Sequence, residues 1–180
     1  IRSDVQALKQ GARNLSDGQS LIRTAEGALS EVSSILIRLR SLASQAANGT
    51  VGDDERQTVN LEYQNLVSEL DRISSVTEFL GTQLLDGSLA DSAAEHLVLQ
   101  LGVDSSADNQ IDLNSEIDLT AVSRAALNLT DSNLNSQGGA FLALNDLTVA
   151  IDGLIDKRAK EGSVEVRLTS TLNNLNSQIE

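Results

Sequence analysis

Residues 5–49 read VQALKQGARNLSDGQSLIRTAEGALSEVSSILIRLRSLASQAANG, without a proline. Apolar or small side chains stand at Val5, Leu8, Ala12, Leu15, Ile22, Ala25, Leu29, Val32, Leu36, Leu39, Ala43 and Ala46. The recurring steps of three and four are those of one helical face. Asn48-Gly49 then supplies a stop signal. The stretch predicts one helix of roughly 45 residues, about 68 Å long at ~1.5 Å per residue. A compact globule of this chain's length is only ~40 Å across, so such a helix has to run along a rod.

Around residues 34–45 the apolar arc widens, because Ile35 and Leu42 sit beside the Leu36, Leu39 and Ala43 line. One partner helix leaves part of that arc uncovered, so two are expected to pack on it. Ile37 falls outside the arc, near Arg38 and Arg40, and is expected to be an exposed apolar contact point. The acidic start Asp53-Asp54-Glu55 suits a helix N-terminus, and Val59, Tyr63, Leu66, Leu70 and Ile73 mark one face of a second helix ending near Ser74-Ser75. A short loop folds it back antiparallel to the first. Residues 79–87 read as an irregular connector. Leu97, Leu99 and Leu101, then Ile111 and Leu113, alternate with other residues across a polar turn, the pattern of a β-hairpin.

Residues 116–127 suggest a short helix, and 128–139 a polar junction. Leu144, Leu147, Ile151, Ile155, Ala159, Gly162, Val166, Leu172, Leu175 and Ile179 then restore a helical stripe. The expected fold is mainly α: an elongated antiparallel helical bundle or coiled coil of three helices, two of them long, with a small β-hairpin subdomain. It divides into residues 1–87 (N-terminal rod helices and connector), 88–138 (β-hairpin, short helix and junction) and 139–180 (C-terminal rod helix), one continuous elongated domain. Both ends lie inside periodic segments without caps, so the chain reads as a piece of something longer.

Composition narrows function mainly by exclusion. The core has to be aliphatic, since Tyr63, Phe79 and Phe141 are the only aromatic residues and Trp, Met, Cys and Pro are absent. A formal charge of −13 makes nucleic acid a poor partner. No stretch approaches the ~20 apolar residues of a membrane span, so a soluble chain without a membrane partner is expected. His96, the single histidine, is expected to be an ordinary, partly exposed side chain, and Asp53-Asp54 to serve helix capping. No phosphate-binding loop, dinucleotide fingerprint or zinc-protease motif occurs, and neither catalytic residues nor a cofactor or metal is expected. Asp104, Ser106, Asp108 and Asp112 imitate the start of a calcium loop, but Asn109 and Ser115 replace its glycine and glutamate, which favours a polar turn. Gly11, Gly18, Gly27 and Gly162 each weaken their helix by ~1 kcal/mol and mark either close backbone approach or simple tolerance.

The segment from Asn14 to Leu85 resembles the N-terminal rod region of bacterial flagellin. Its marks are the run from Asp17 to Leu29 (DGQSLIRTAEGAL), the block from Ile37 to Thr50 (IRLRSLASQAANGT), the segment from Glu62 to Ser74 and the end from Thr77 to Gly87 (TEFLGTQLLDG). Residues 141–180 are similar to flagellin's returning C-terminal helix. The resemblance implies a structural subunit of the flagellar filament, extracellular, that polymerises with other flagellin subunits by rod-to-rod packing. It further implies export through the flagellar type III apparatus with a chaperone. It also implies that the terminal polymerisation segments and the variable outer domains lie outside this chain, which by itself would be monomeric. The rod surface would be recognised by the flagellin-sensing Toll-like receptor through residues matching Arg38, Leu42 and Glu62. A hook-filament junction protein and a flagellin-like surface adhesin are the alternative readings.

Overall fold

A computed structural model describes residues 2–179. Ile1 and Glu180, the outer ends of the expected first and third helices, lie outside the described residues. Helix α1 runs from Arg2 to Ala47 without a break, and α2 from Asp53 to Val76. Two small antiparallel strand pairs follow, β1 (Glu78–Phe79) with β2 (Thr82–Gln83), and β3 (Val98–Gln100) with β4 (Gln110–Asp112). A short α3 (Leu113–Ile117) and an irregular stretch lead into α4, Gln137–Ile179. At 46 residues, α1 is about 69 Å long.

The seam anticipated on α1 is the core of the molecule. Leu15, Ile22, Ala25, Leu29, Val32, Leu36, Leu39, Ala43 and Ala46 are all buried, and so are Ile35 and Leu42 from the widened arc. Two helices share that arc: α4 runs antiparallel along α1, and α2 covers the C-terminal part. Polar pairs across the α1–α4 seam hold the antiparallel order. Gln137 Nε2 donates to the Ala47 carbonyl at 2.9 Å, Arg23 Nε meets Glu165 at 3.0 Å, and Gln19 Nε2 donates to Thr169 Oγ1 at 2.9 Å.

The C-terminus of α1 leaves carbonyls without intrahelical donors, and its last turn carries no basic residue. Arg56, buried on α2, supplies the missing donors: its Nε binds the Ala46 carbonyl at 2.9 Å and its Nη2 the Asn48 carbonyl at 3.1 Å, while Nη1 meets Asp53 at 3.1 Å. One guanidinium therefore closes the turn between α1 and α2. The start of α2 is satisfied by Glu55, whose carboxylate accepts from the Gly52 N–H at 2.8 Å.

Beyond α2 the structure departs from the sequence reading in several places. The irregular connector contains the β1–β2 hairpin, turned at Leu80-Gly81 with φ of 50° and 83°, the left-handed pair favoured in two-residue hairpins. The expected helix over 116–127 is not there; α3 occupies 113–117 and stops at Asp118, whose φ of 48° ends it. Asp112 starts α3 by accepting from the N–H groups of Asn114 and Ser115. The fully buried Asn114 then gathers the surrounding loops. Its amide donates to the carbonyls of Ser88 and Ala90 at 2.9 and 3.0 Å and accepts from the Leu97 N–H at 2.8 Å. The junction is tied to α2 through Tyr63 with Ser132 at 2.6 Å and Asn60 with the Leu134 N–H at 2.8 Å, and the segment before it through Asp71 with Arg124.

The buried line of α4 also differs from the expected stripe. It follows Ala140, Ala143, Leu147, Ala150, Leu154, Glu161, Val164, Leu168 and Leu175, leaving Ile155 and Val166 exposed. On α2, Val67 is buried where Leu66 was expected, and Leu66 is half-buried. Contrary to the expectation that no stretch approaches a membrane span, α4 is long and apolar enough for one by length and composition. Its apolar residues are divided between the seam and the outward side, and core helices pass the same test.

Two of the four helical glycines answer to close packing. A Cβ on Gly11 would stand 2.0 Å from the Leu101 carbonyl oxygen, and one on Gly18 2.4 Å from a Leu99 methyl; Gly27 and Gly162 have nothing within 4 Å. Gly11 and Gly18, seven residues apart on one face, let the β3–β4 hairpin lie against the N-terminal half of α1. Gly11→Ala is therefore expected to lower stability by about 1–3 kcal/mol although alanine favours helix, while Gly27→Ala raises it by about 0.5–1 kcal/mol. Urea unfolding of the two variants checks the opposite signs.

Candidate functional site

Among the described residues no group of three or more histidine, cysteine, aspartate or glutamate side chains is placed to hold a metal. In the calcium-like turn, Asp104 Oδ1 is taken up by the Ser106 N–H and hydroxyl and by the Asn109 amide, at 3.0, 2.6 and 2.6 Å. Those bonds, led by the Ser106 hydroxyl, pull its carboxyl down to about 2. The turn satisfies itself, as the polar-turn reading anticipates. His96 Nδ1 lies 2.6 Å from Asp112 Oδ2 and Nε2 lies 3.1 Å from the Asp91 carbonyl, and the Asp112 bond raises the imidazole above its ordinary value. Ser115 Oγ is also close by, but it donates to the carboxylates of Asp91 and Asp112 rather than to the imidazole. The order needed for a serine nucleophile, hydroxyl to imidazole to carboxylate, is missing. The cluster instead pins the base of the hairpin to α3.

The surface offers more. Arg38 on α1 and Glu62 on α2 reach each other across the helix pair, with Nε–Oε1 at 2.8 Å and Nη2–Oε1 at 2.6 Å, and both are about half exposed. Leu42, expected on the same surface, is 2% exposed. The reason is the double coverage of α1: the arc holding Ile35 and Leu42 is closed over by packing, so Leu42 belongs to the core and does not present itself to solvent. Ile37 is 54% exposed, as the sequence reading anticipates. With Arg40, Ser41, Ser44 and Leu144 it lines an open groove between α1 and α4.

Sequence reasoning missed the larger apolar surface, on α4. Phe141, Leu142, Val149, Ile155 and Val166 are each between 53% and 68% exposed. Phe141, Ile155 and Val166 share one side of the outward face of α4, while Leu142 and Val149 lie on the other side, next to residues 122–132, with Asn145, Asp152 and Asp156 exposed between the two groups. α4 thus carries exposed apolar side chains on both sides of its outward face in addition to its buried seam, more than scattered single aliphatics. The signal that could have found it is the excess of apolar residues in 141–155 over what one seam can absorb.

The comparisons with known proteins agree with this rod geometry. The family described as the bacterial flagellin N-terminal helical region matches residues 1–90. Over all of this chain, a flagellin of Halalkalibacterium halodurans is 36% identical and a flagellin of Bacillus subtilis 33% identical. The chain spans only 63% and 67% of the length of those two relatives. The crystal structure of Bacillus cereus flagellin superposes with a TM-score of 0.74 at 35% identity, over 91% of this chain and 88% of that one.

Burial separates the three expected surface residues. Leu42→Ala is expected to cost about 2–5 kcal/mol of stability through the cavity it leaves. Arg38→Ala, which breaks a solvent-exposed pair, costs less than about 1 kcal/mol. Chemical denaturation of both variants reads the difference, and equal losses would contradict the assignment of Leu42 to the core.

Proposed function

The chain belongs to the flagellin family, and on that premise we propose that it is the rod portion of a structural subunit of the bacterial flagellar filament, at work outside the cell. The observation that carries this reading is the set of exposed apolar side chains on α4, Phe141, Ile155 and Val166 on one side and Leu142 and Val149 on the other, along a helix pair about 69 Å long. A rod with one apolar flank buries that flank by lying alongside another rod. Copies of the chain, repeated by one operation that does not close on itself, grow into an open filament. Flagellins are structural proteins rather than enzymes, and the hydrogen-bonded, self-satisfied polar clusters around Asp104 and His96 fit that role.

The finer parts of the reading rest on family resemblance. Subunits would leave the cell through the flagellar type III apparatus with the help of a chaperone, and the rod surface would be recognised by the flagellin-sensing Toll-like receptor. Arg38 and Glu62 are available for that contact, since both are about half exposed and their shared ion pair spans α1 and α2. Leu42 is buried in the core and would contribute only through the stability of the rod. A hook-filament junction protein or an adhesin would share the rod, but no observed feature favours either.

Assembly is tested in the full-length parent. Ile155→Glu and Val166→Glu together place two charges on the one flank of α4 where subunits are to pack, and are expected to abolish filament growth while leaving the unfolding temperature within a few degrees of the parent's. Normal filaments from the double variant, seen by electron microscopy, would refute the interface. For the receptor, Arg38→Ala combined with Glu62→Ala is expected to reduce cell signalling about tenfold or more, a loss of ~1.4 kcal/mol of binding or greater. Unchanged signalling would remove these residues from the contact.

A further inference from the structure

One residue of the α1–α4 seam does not belong to an aliphatic interface. Glu161 lies on the buried line of α4 between Leu154 and Val164, is fully buried, and neither of its carboxylate oxygens has a hydrogen-bond partner among the described residues. One turn earlier, Arg158 has a buried Nε that is also without a partner, while its Nη2 stands 4.0 Å from Glu26 on α1. Of the other charges nearby, Arg23 is engaged with Glu165, Lys160 with Asp118, and Arg167 with Glu116, while Lys157, one turn before Glu161 on the same face, is half-buried with Asp118, Asp156 and Lys160 as its charged neighbours. An ionised carboxylate stripped of water and of donors is strongly unfavourable, whereas a carboxylic acid fits the same space.

We propose that Glu161 is a proton-dependent latch in the rod: protonated, it lets α4 close on α1, and its ionisation opens the adjoining turns of the two helices. Arg158 supplies the alternative state. It sits three residues before Glu161 on the same helix, close enough to pair with it once the carboxylate is charged. In the closed form that arginine is turned towards Glu26 across the seam. Loss of the proton therefore both expels a charge from the interface and draws Arg158 from the inter-helix contact to one within α4.

Burial, reinforced by repulsion from Glu26 and opposed by Arg158, raises the Glu161 carboxyl to about 8. A raised acid binds more protons in the closed form than in the open one between its ordinary value near 4.5 and about 8. The closed form accordingly loses stability as pH rises through that window, and the loss levels off above it.

Backbone amide exchange of the 180-residue chain, corrected for the intrinsic pH dependence of exchange, tests the latch. Between pH 5.5 and pH 8, amides of residues 22–29 and 154–168 are expected to lose protection about tenfold or more, while those of residues 36–46 change less. Glu161→Gln removes the ionisation and should flatten this response. Glu161→Leu serves the same purpose if the amide variant folds poorly. Glu26→Gln, which removes the repulsion from α1, should move the levelling-off to lower pH. Parallel losses in the parent and both Glu161 variants, or a response in Glu26→Gln identical to the parent's, would overturn the proposal.

Discussion

Everything in this molecule depends on one contact, the lengthwise burial of α1 against α4. An interior nearly without aromatic residues cannot be organised around a few large anchors, so it is built from Leu, Ile, Val and Ala repeated along two helices of 46 and 43 residues. Each layer adds a small amount of apolar burial, and the sum runs the length of the rod. Alanines at 140, 143 and 150 on α4 face this seam and allow a close approach of the helix axes. The remaining elements attach to the pair. α2 doubles back over one end of α1 and is locked there by Arg56, and the hairpin subdomain settles against the other half of α1 through Gly11 and Gly18.

From that geometry a division of labour follows. α4 makes the fold with one buried line and leaves Phe141, Ile155 and Val166 exposed on one side and Leu142 and Val149 on the other. α1 and α2 together offer a polar flank, bridged by Arg38 and Glu62. Outside the seam, Asp104 is taken into local hydrogen bonds by Ser106 and Asn109, and His96 by Asp112 and the Asp91 carbonyl. A chain that presents long flanks fits a building unit of the family to which it belongs.

The parts of the fold legible in the sequence are those governed by local periodicity. α1 could be read almost residue by residue, because its apolar positions keep one phase for more than forty residues and Asn48-Gly49 ends them. The β3–β4 hairpin was legible because the period changes from helical spacing to alternation around a polar turn. On α4 periodicity was ambiguous: Leu154 and Ile155 are adjacent and equally apolar, and the partner surface alone decides that the first is buried. The true line also passes through Glu161, a residue that any hydropathy pattern would assign to solvent. Leu42 was recognised as apolar and part of a wide arc, yet its burial depends on how closely two helices cover that arc. Arg56 and Asn114 lay beyond reach because they are placed by backbone groups of other segments, the end of α1 in one case and the loops around 88–97 in the other. The 116–127 helix was misplaced since its apolar residues, Leu119 and Val122 among them, are buried by tertiary packing in an extended path rather than by a helical face.

Small-angle X-ray scattering from the 180-residue chain at low concentration tests the central claim most directly. A lengthwise α1–α4 pair predicts an elongated particle with a maximum dimension of about 70 Å or more, set by a 46-residue helix. A profile that fits a sphere about 40 Å across, the size of a compact fold of this length, would contradict it.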